Sequence, residues 1–206
     1  MVGRTRNTLM LTPMLGGAVA MAMGACARTE APPLPAEGVI ALSDQFSPDL
    51  ALIDQNGKVM RDEDLQGRVA LVYFGFATCP DVCPLALGRV SAALNDLTDK
   101  EREKVAALFI TVDPDRDTPE ALKKYLAFDD RIIGLTGDRE AIETAKAGFK
   151  VFAEPETITD SKLGYTMQHS SLFYLIEKSG KLSYALNDAL TPEQIAAAIR
   201  QALKRG

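Results

Sequence analysis

The most constraining stretch of this chain is Val69-Ala-Leu-Val-Tyr-Phe-Gly-Phe-Ala-Thr-Cys-Pro-Asp-Val-Cys-Pro84. Val69 to Phe76 is an apolar, β-branched run. It is too short for a typical helix of about 10–12 residues and reads as a strand buried on both faces. A loop carrying Cys79 and Cys83 follows. From Pro84 the apolar residues recur at helical spacing: Leu85, Val90, Ala93, Leu94 and Leu97 share one face. Two thiols thus stand where a central strand hands over to a helix. In open α/β sheets that edge is where ligands and reactive groups gather.

The 206 residues fit one domain with extensions, and 47% hydrophobic with 25% charged residues is a globular composition. The formal charge is -5 with no basic cluster, which argues against a nucleic-acid partner. Residues 1–25 stand apart from the fold. Arg4 and Arg6 precede an apolar run, Leu9 to Met23, broken by Pro13; Met23-Gly-Ala-Cys26 follows. This resembles a bacterial lipoprotein signal with Cys26 as the lipid anchor, although Met23 replaces the usual leucine. A plain secretory signal cut near Ala25 or Ala27, or an uncleaved anchor, remains an alternative. Each implies export, to a periplasmic or other extracytoplasmic face. Residues 26–44, with Pro32, Pro33 and Pro35, read as an extended tether, and 45–206 as the domain.

Within the domain, Phe46 to Ile53 reads as a strand. Asn56-Gly57 turns it into a hairpin arm, Lys58 to Arg61, before the central strand. After the helix over 85–97 comes a strand, Val105 to Val112. Strand, helix, strand over this distance implies a parallel crossover. Thr118-Pro119-Glu120 starts a helix reaching about Ala127. Ile132 to Leu135 is a strand. Asp138 caps a helix expected to end at Ala147, with Gly148 at its C-terminus. Phe149 to Phe152 is expected to be extended, and Glu154 to Met167 to form an inserted loop or loose hairpin. Ser171 to Ile176 and Leu182 to Ala185 form an antiparallel pair. Thr191-Pro-Glu-Gln194 is a capping box opening the last helix. The order predicts an α/β fold: a thioredoxin-like mixed β-sheet flanked by helices.

Three cysteines are present. With Cys26 assigned to lipid, Cys79 and Cys83 remain, and in an oxidising compartment they can form a disulfide. The loop it would close is too small to staple a domain, so a pair with chemistry is the better reading. Cys83 in the first helical turn would face back toward Cys79. The helix N-terminus favours negative charge, which predicts low-pKa thiols. His169, the sole histidine, lies just before the Ser171 strand, which is expected beside the central one. Two thiolates and an imidazole suit Cu(I), and the same set holds Cu(II) with an added oxygen ligand. Zinc is the main competitor: a structural zinc would need a fourth ligand, which leaves an open three-ligand zinc site as the other reading. Asp81 and Met167 are near in sequence, but a loop acid and a core methionine are their plainer readings.

Four motifs in order carry a resemblance: Phe74-Gly-Phe-Ala-Thr-Cys-Pro-Asp-Val-Cys-Pro84, Val112-Asp-Pro-Asp-Arg-Asp-Thr-Pro119, Gly134-Leu-Thr-Gly137 and His169-Ser-Ser-Leu-Phe-Tyr-Leu175. Together they resemble the Sco/SenC copper chaperones. The resemblance implies a membrane-tethered, thioredoxin-like domain binding copper through Cys79, Cys83 and His169. It also implies a role in assembling the dinuclear copper site of cytochrome c oxidase, with that site's subunit as the copper-receiving partner. The alternative role is a thiol–disulfide reductase, with Cys79 and Cys83 as the exchanging thiols. Thr78 and Gln168 depart from the histidine and aspartate common in relatives. Asp113 and Asp117 fall in the second motif, and locally they read as the end of a strand and the start of a helix.

Overall fold

The structure, a computed structural model, describes residues 1, 3, 37–159 and 164–205. Apart from Met1 and Gly3, the signal segment lies outside the described residues, as do Cys26 and most of the proline-rich tether. Strands β1 (Val39–Ala41), β2 (Ala51–Asp54) and β3 (Val59–Arg61) lead to β4 (Val69–Gly75). Then come α1 (Val82–Asp96), α2 (Asp99–Arg102), β5 (Val105–Thr111), α3 (Pro119–Tyr125), β6 (Ile132–Thr136) and α4 (Arg139–Phe149). The chain ends with β7 (Ala153–Thr157), β8 (Tyr165–His169), β9 (Leu172–Ile176), β10 (Leu182–Asn187) and α5 (Pro192–Lys204).

Eight strands form one sheet in the order β1-β10-β9-β4-β5-β6-β2-β3. The three strands β4, β5 and β6 run parallel, as the crossover argument requires. Strand β9 lies antiparallel to β4 on its other side, and β2 lies antiparallel to β6. Every residue of β4 and β5 is buried, which explains their unbroken apolar sequences. Tyr73, Phe74, Phe109, Phe149 and Phe173 are each at most 1% exposed. Burying one such ring contributes about 1.5–3 kcal/mol. Side chains alternate along a strand, so neighbouring rings serve opposite faces. Tyr73 stacks on Phe109, which meets Tyr125 of α3, whereas Phe74 meets Phe149 of α4. Helices therefore cover both faces.

The helix starts follow the expected caps. Thr118, Asp138 and Thr191 each accept a backbone N–H from the first turn. Four local expectations are corrected. The helix after the thiols begins at Val82, not near Leu85, so Cys83 lies in its first turn. The first domain strand starts at Ala51 rather than Phe46. Gly148 does not end α4; the helix runs to Phe149, and Lys150 takes the left-handed conformation at φ 52. Gly148 is there for close approach: a Cβ on it would lie 2.3 Å from the Ser47 carbonyl oxygen. Its own carbonyl accepts the Ser47 N–H at 3.1 Å. Phe149 is consequently helical, and extended structure resumes at Ala153. The sheet also reaches back into the segment read as tether, because β1 pairs with β10.

Strands β7 and β8 pair only with each other, forming the loose hairpin expected before the histidine. No described helix is long and apolar enough to cross a membrane.

Candidate metal site

Strand order decides where His169 falls. Strand β9 runs antiparallel to β4 with Tyr73 opposite Phe173. The start of β9 therefore lies beside the end of β4, where the cysteine loop begins. His169 is the last residue of β8, three positions before β9. Its Nε2 lies 3.6 Å from the Cys83 sulfur.

Cys83 is fully buried and Cys79 is 7% exposed. Gly75 makes room for the Cys83 sulfur: a Cβ there would sit 2.9 Å from Sγ and 2.8 Å from the Phe109 ring. Both cysteines are free thiols. Burial pushes the Cys83 thiol up to about 12, although the Phe76 backbone N–H acts in the other direction. This corrects the expectation of a low-pKa thiol at this position. The helix-end effect is worth about 0.3–1 kcal/mol at exposed sites, and here it loses to desolvation.

The imidazole is held by its other nitrogen. Nδ1 lies 3.0 Å from the Ser170 carbonyl oxygen. A carbonyl oxygen only accepts, so Nδ1 carries the hydrogen and Nε2 presents its lone pair toward Cys83. Burial holds the His169 pKa below its ordinary value, which favours the neutral, ligating ring. Tyr73 and Phe76 meet the ring edge-on, at centroid distances of 6.3 and 5.8 Å. Gln168 plays no part in this: it is exposed and donates to Glu156 at 2.8 Å.

Several supporting residues were not readable from sequence. The Tyr73 hydroxyl lies 2.9 Å from Ser171 Oγ, which donates to Asp188 at 2.6 Å. Ser171 has one hydrogen to give, so Tyr73 donates to it and its own oxygen is left to face Cys83. The segment from Asp113 to Asp117 joins the two sides of the site. Asp117 accepts the Ala77 N–H of the cysteine loop at 2.9 Å and the Thr111 hydroxyl at 2.6 Å. Asp113 accepts the Tyr165 hydroxyl at 2.7 Å and pairs with Arg116. Arg116 also donates to the Tyr165 carbonyl at 2.9 Å and stacks 3.8 Å over the Tyr165 ring. Thr118 caps α3 by itself, which leaves Asp117 to brace the loop. The strand-end and helix-start reading of these acids missed that bridge. An acid directly before a helix whose cap Thr118 already supplies was the available signal.

Metal bonds of about 2.3 Å to sulfur and 2.0 Å to nitrogen, as at zinc, leave adjacent ligands about 3.5 Å apart. The 3.6 Å between Cys83 Sγ and His169 Nε2 fits that spacing. A cavity of about 370 Å³ adjoins it, lined by Cys79, Asp81, Met167 and His169 among others. Among the described residues, no group of three or more His, Cys, Asp or Glu side chains is placed so that it could hold a metal ion: Cys83 and His169 are brought together, and Cys79 is not drawn with them into a ligand set. Asp81 is exposed at the N-cap of α1 and makes no capping hydrogen bond.

The fold and site define a class: thioredoxin-like domains with a dithiol at the strand–helix junction and an imidazole against it. The SCO1/SenC family model matches residues 40–204, and the chain belongs to that family. An SCO2-like protein of Rickettsia felis is 41% identical over 134 residues, spanning 65% of each chain. The structure of Bradyrhizobium japonicum ScoI with copper bound is similar, with a TM-score of 0.70 and 38% identity. That match covers 77% of this chain and 99% of the other. A further solved structure, with a TM-score of 0.60 and 25% identity, covers 81% of this chain and 100% of its own. It is described as BsSco, a member of the Sco family of cytochrome c oxidase assembly proteins, in which a disulfide switch was identified.

Proposed function

We propose that this protein carries copper, held by Cys79, Cys83 and His169, and delivers it to the copper-receiving subunit of cytochrome c oxidase. Cys26 anchors it by lipid to the extracytoplasmic face of a bacterial membrane. The observation that carries the reading is the 3.6 Å approach of a buried thiol to a neutral imidazole lone pair. The copper-bound state of the related ScoI supports the choice of metal.

Each residue has a defined task. Ser170 fixes the tautomer, so Nε2 donates to the ion. Gly75 and Tyr73 seat the Cys83 sulfur. That thiol is protonated at neutral pH, so loading must expel its proton, and affinity rises with pH. The soft sulfur pair favours Cu(I). Cys79 lies at the cavity, where an incoming ligand from the acceptor can reach the ion first.

A second reading draws on the two free thiols and the disulfide switch described for BsSco. One thiolate attacks an acceptor disulfide, the other resolves the mixed disulfide, and two electrons and two protons pass to the acceptor. His169 has no task in that exchange. Titrating the reduced protein with Cu(I) separates the two. One tightly bound equivalent, lost in both His169→Ala and Cys83→Ser, is expected for the carrier. Copper affinity unchanged in His169→Ala, with brisk thiol exchange, would leave only the reductase.

A further inference from the structure

We propose that Met167 supplies a fourth, thioether ligand to Cu(I), closing the copper shell from the hairpin side. The inference rests on the copper reading above.

Two thiols and one imidazole would leave a fourth position to fill, and among the described residues no group of three His, Cys, Asp or Glu side chains is placed to hold a metal ion by itself. Strand β8 brings one more donor to the opening. Met167 and His169 are two apart on that strand, so they share a face. Gln168, between them, also borders the cavity, but its amide is engaged by Glu156. Across the hairpin, Met167 pairs with Pro155 as His169 pairs with Ala153. Met167 therefore faces the space that the imidazole faces.

That space has room for it to act. Met167 lines the cavity of about 370 Å³ together with Cys79 and His169. It also lines a second cavity of about 390 Å³, beside Val112, Asp113 and Lys146. The side chain is half-buried, packed against the edge of the core and bordering both voids. Three rotatable bonds let a methionine fill either side.

The chemistry selects the oxidation state. A thioether is neutral and soft, and it binds Cu(I) without losing a proton. The one carboxylate lining the same cavity is Asp81, a hard oxygen donor better matched to Cu(II). Met167 would hold Cu(I) weakly enough to yield to an acceptor's ligand, and would fall back toward the second cavity when the ion leaves.

Selenomethionine labelling tests this directly. The chain has seven methionines: Met1, Met10, Met14, Met21, Met23, Met60 and Met167. The full-length, reduced, selenium-labelled protein is loaded with one equivalent of Cu(I) and read at the selenium and copper X-ray absorption edges. A copper–selenium shell is expected in the wild type and absent from Met167→Leu. That variant should bind Cu(I) about tenfold more weakly, the lower end of losses seen at metal-site supports, with Cu(II) binding unchanged. Copper bound by two sulfurs and one nitrogen, with no selenium neighbour, would overturn the role of Met167 and leave the carrier reading standing. Failure of the wild type to take up an equivalent of Cu(I) would overturn both.

Discussion

The two sides of the site are built differently. The sulfur side belongs to the core: β4 is wholly buried, Cys83 is fully buried on α1, and Gly75 leaves room for that sulfur and the Phe109 ring. The imidazole side hangs on a hairpin outside the main sheet, most of it half-buried or exposed. It is tied down by Arg116 and Asp113 through Tyr165. The lesson is a division of labour: the core fixes a thiol, and a separate hairpin held by a few side-chain contacts sets an imidazole against it. Under the copper-carrier reading proposed above, gripping and releasing an ion would be served by one side fixed in the core and one side held by fewer contacts.

The sharpest way to break this contrast is on the sulfur side. Gly75→Ala drives a methyl group into Cys83 Sγ and Phe109. It should cost about 1–3 kcal/mol, as overpacking does, and abolish stoichiometric copper binding. Chemical denaturation and copper titration check both. Arg116→Ala acts on the other side. It removes the stacking on Tyr165 and the tie to Asp113, costing about 1–2 kcal/mol. It should weaken copper about tenfold, as loss of outer support does, while both thiols keep their reactivity toward a disulfide reagent. If Arg116→Ala unfolded the protein as Gly75→Ala is expected to destabilise it, the two sides would not be separable.

Titration sharpens the comparison at smaller amplitude. The Cys83 thiol is raised from 9.0 to about 12 in the folded state. The folded protein therefore holds that proton longer than the unfolded chain, and stability falls as pH rises from about 9 toward 12. Buried Tyr174 is raised to about 12 as well, so Cys83→Ala should remove only part of the alkaline slope. His169 shifts the opposite way. Its pKa is lowered from 6.5, so the unfolded chain binds the proton more readily, and stability is lost as pH falls below about 6.5. His169→Ala should flatten that acid limb, measured by denaturation between pH 4 and 8, values set about the ordinary imidazole pKa.

The periodic and capped parts of the fold were legible. Thr118, Asp138 and Thr191 announce their helices locally, and β4 and β5 announce themselves by unbroken apolar runs. Local patterns failed where a distant neighbour decides. Gly148 looks like a helix stop until Ser47 is seen against it, and β1 is too short and exposed to signal a strand before β10 covers its edge. The site divides the same way. The thiols and their helix are a local motif, whereas the position of His169 depends on β9 lying antiparallel to β4. The acidity expected of Cys83 failed for that reason too. A helix N-terminus is visible in sequence, but the burial that outweighs it appears only once the helix packs on β4 and His169 closes over the thiol.

The most direct test is a double-mutant cycle for Cu(I) affinity on Cys83→Ser and His169→Ala, alone and together. If one ion sits between the two side chains, the losses are strongly non-additive, because the second substitution removes little once the first has opened the shell. Losses that simply add would mean that sulfur and imidazole act on copper independently, and that their 3.6 Å approach is packing alone.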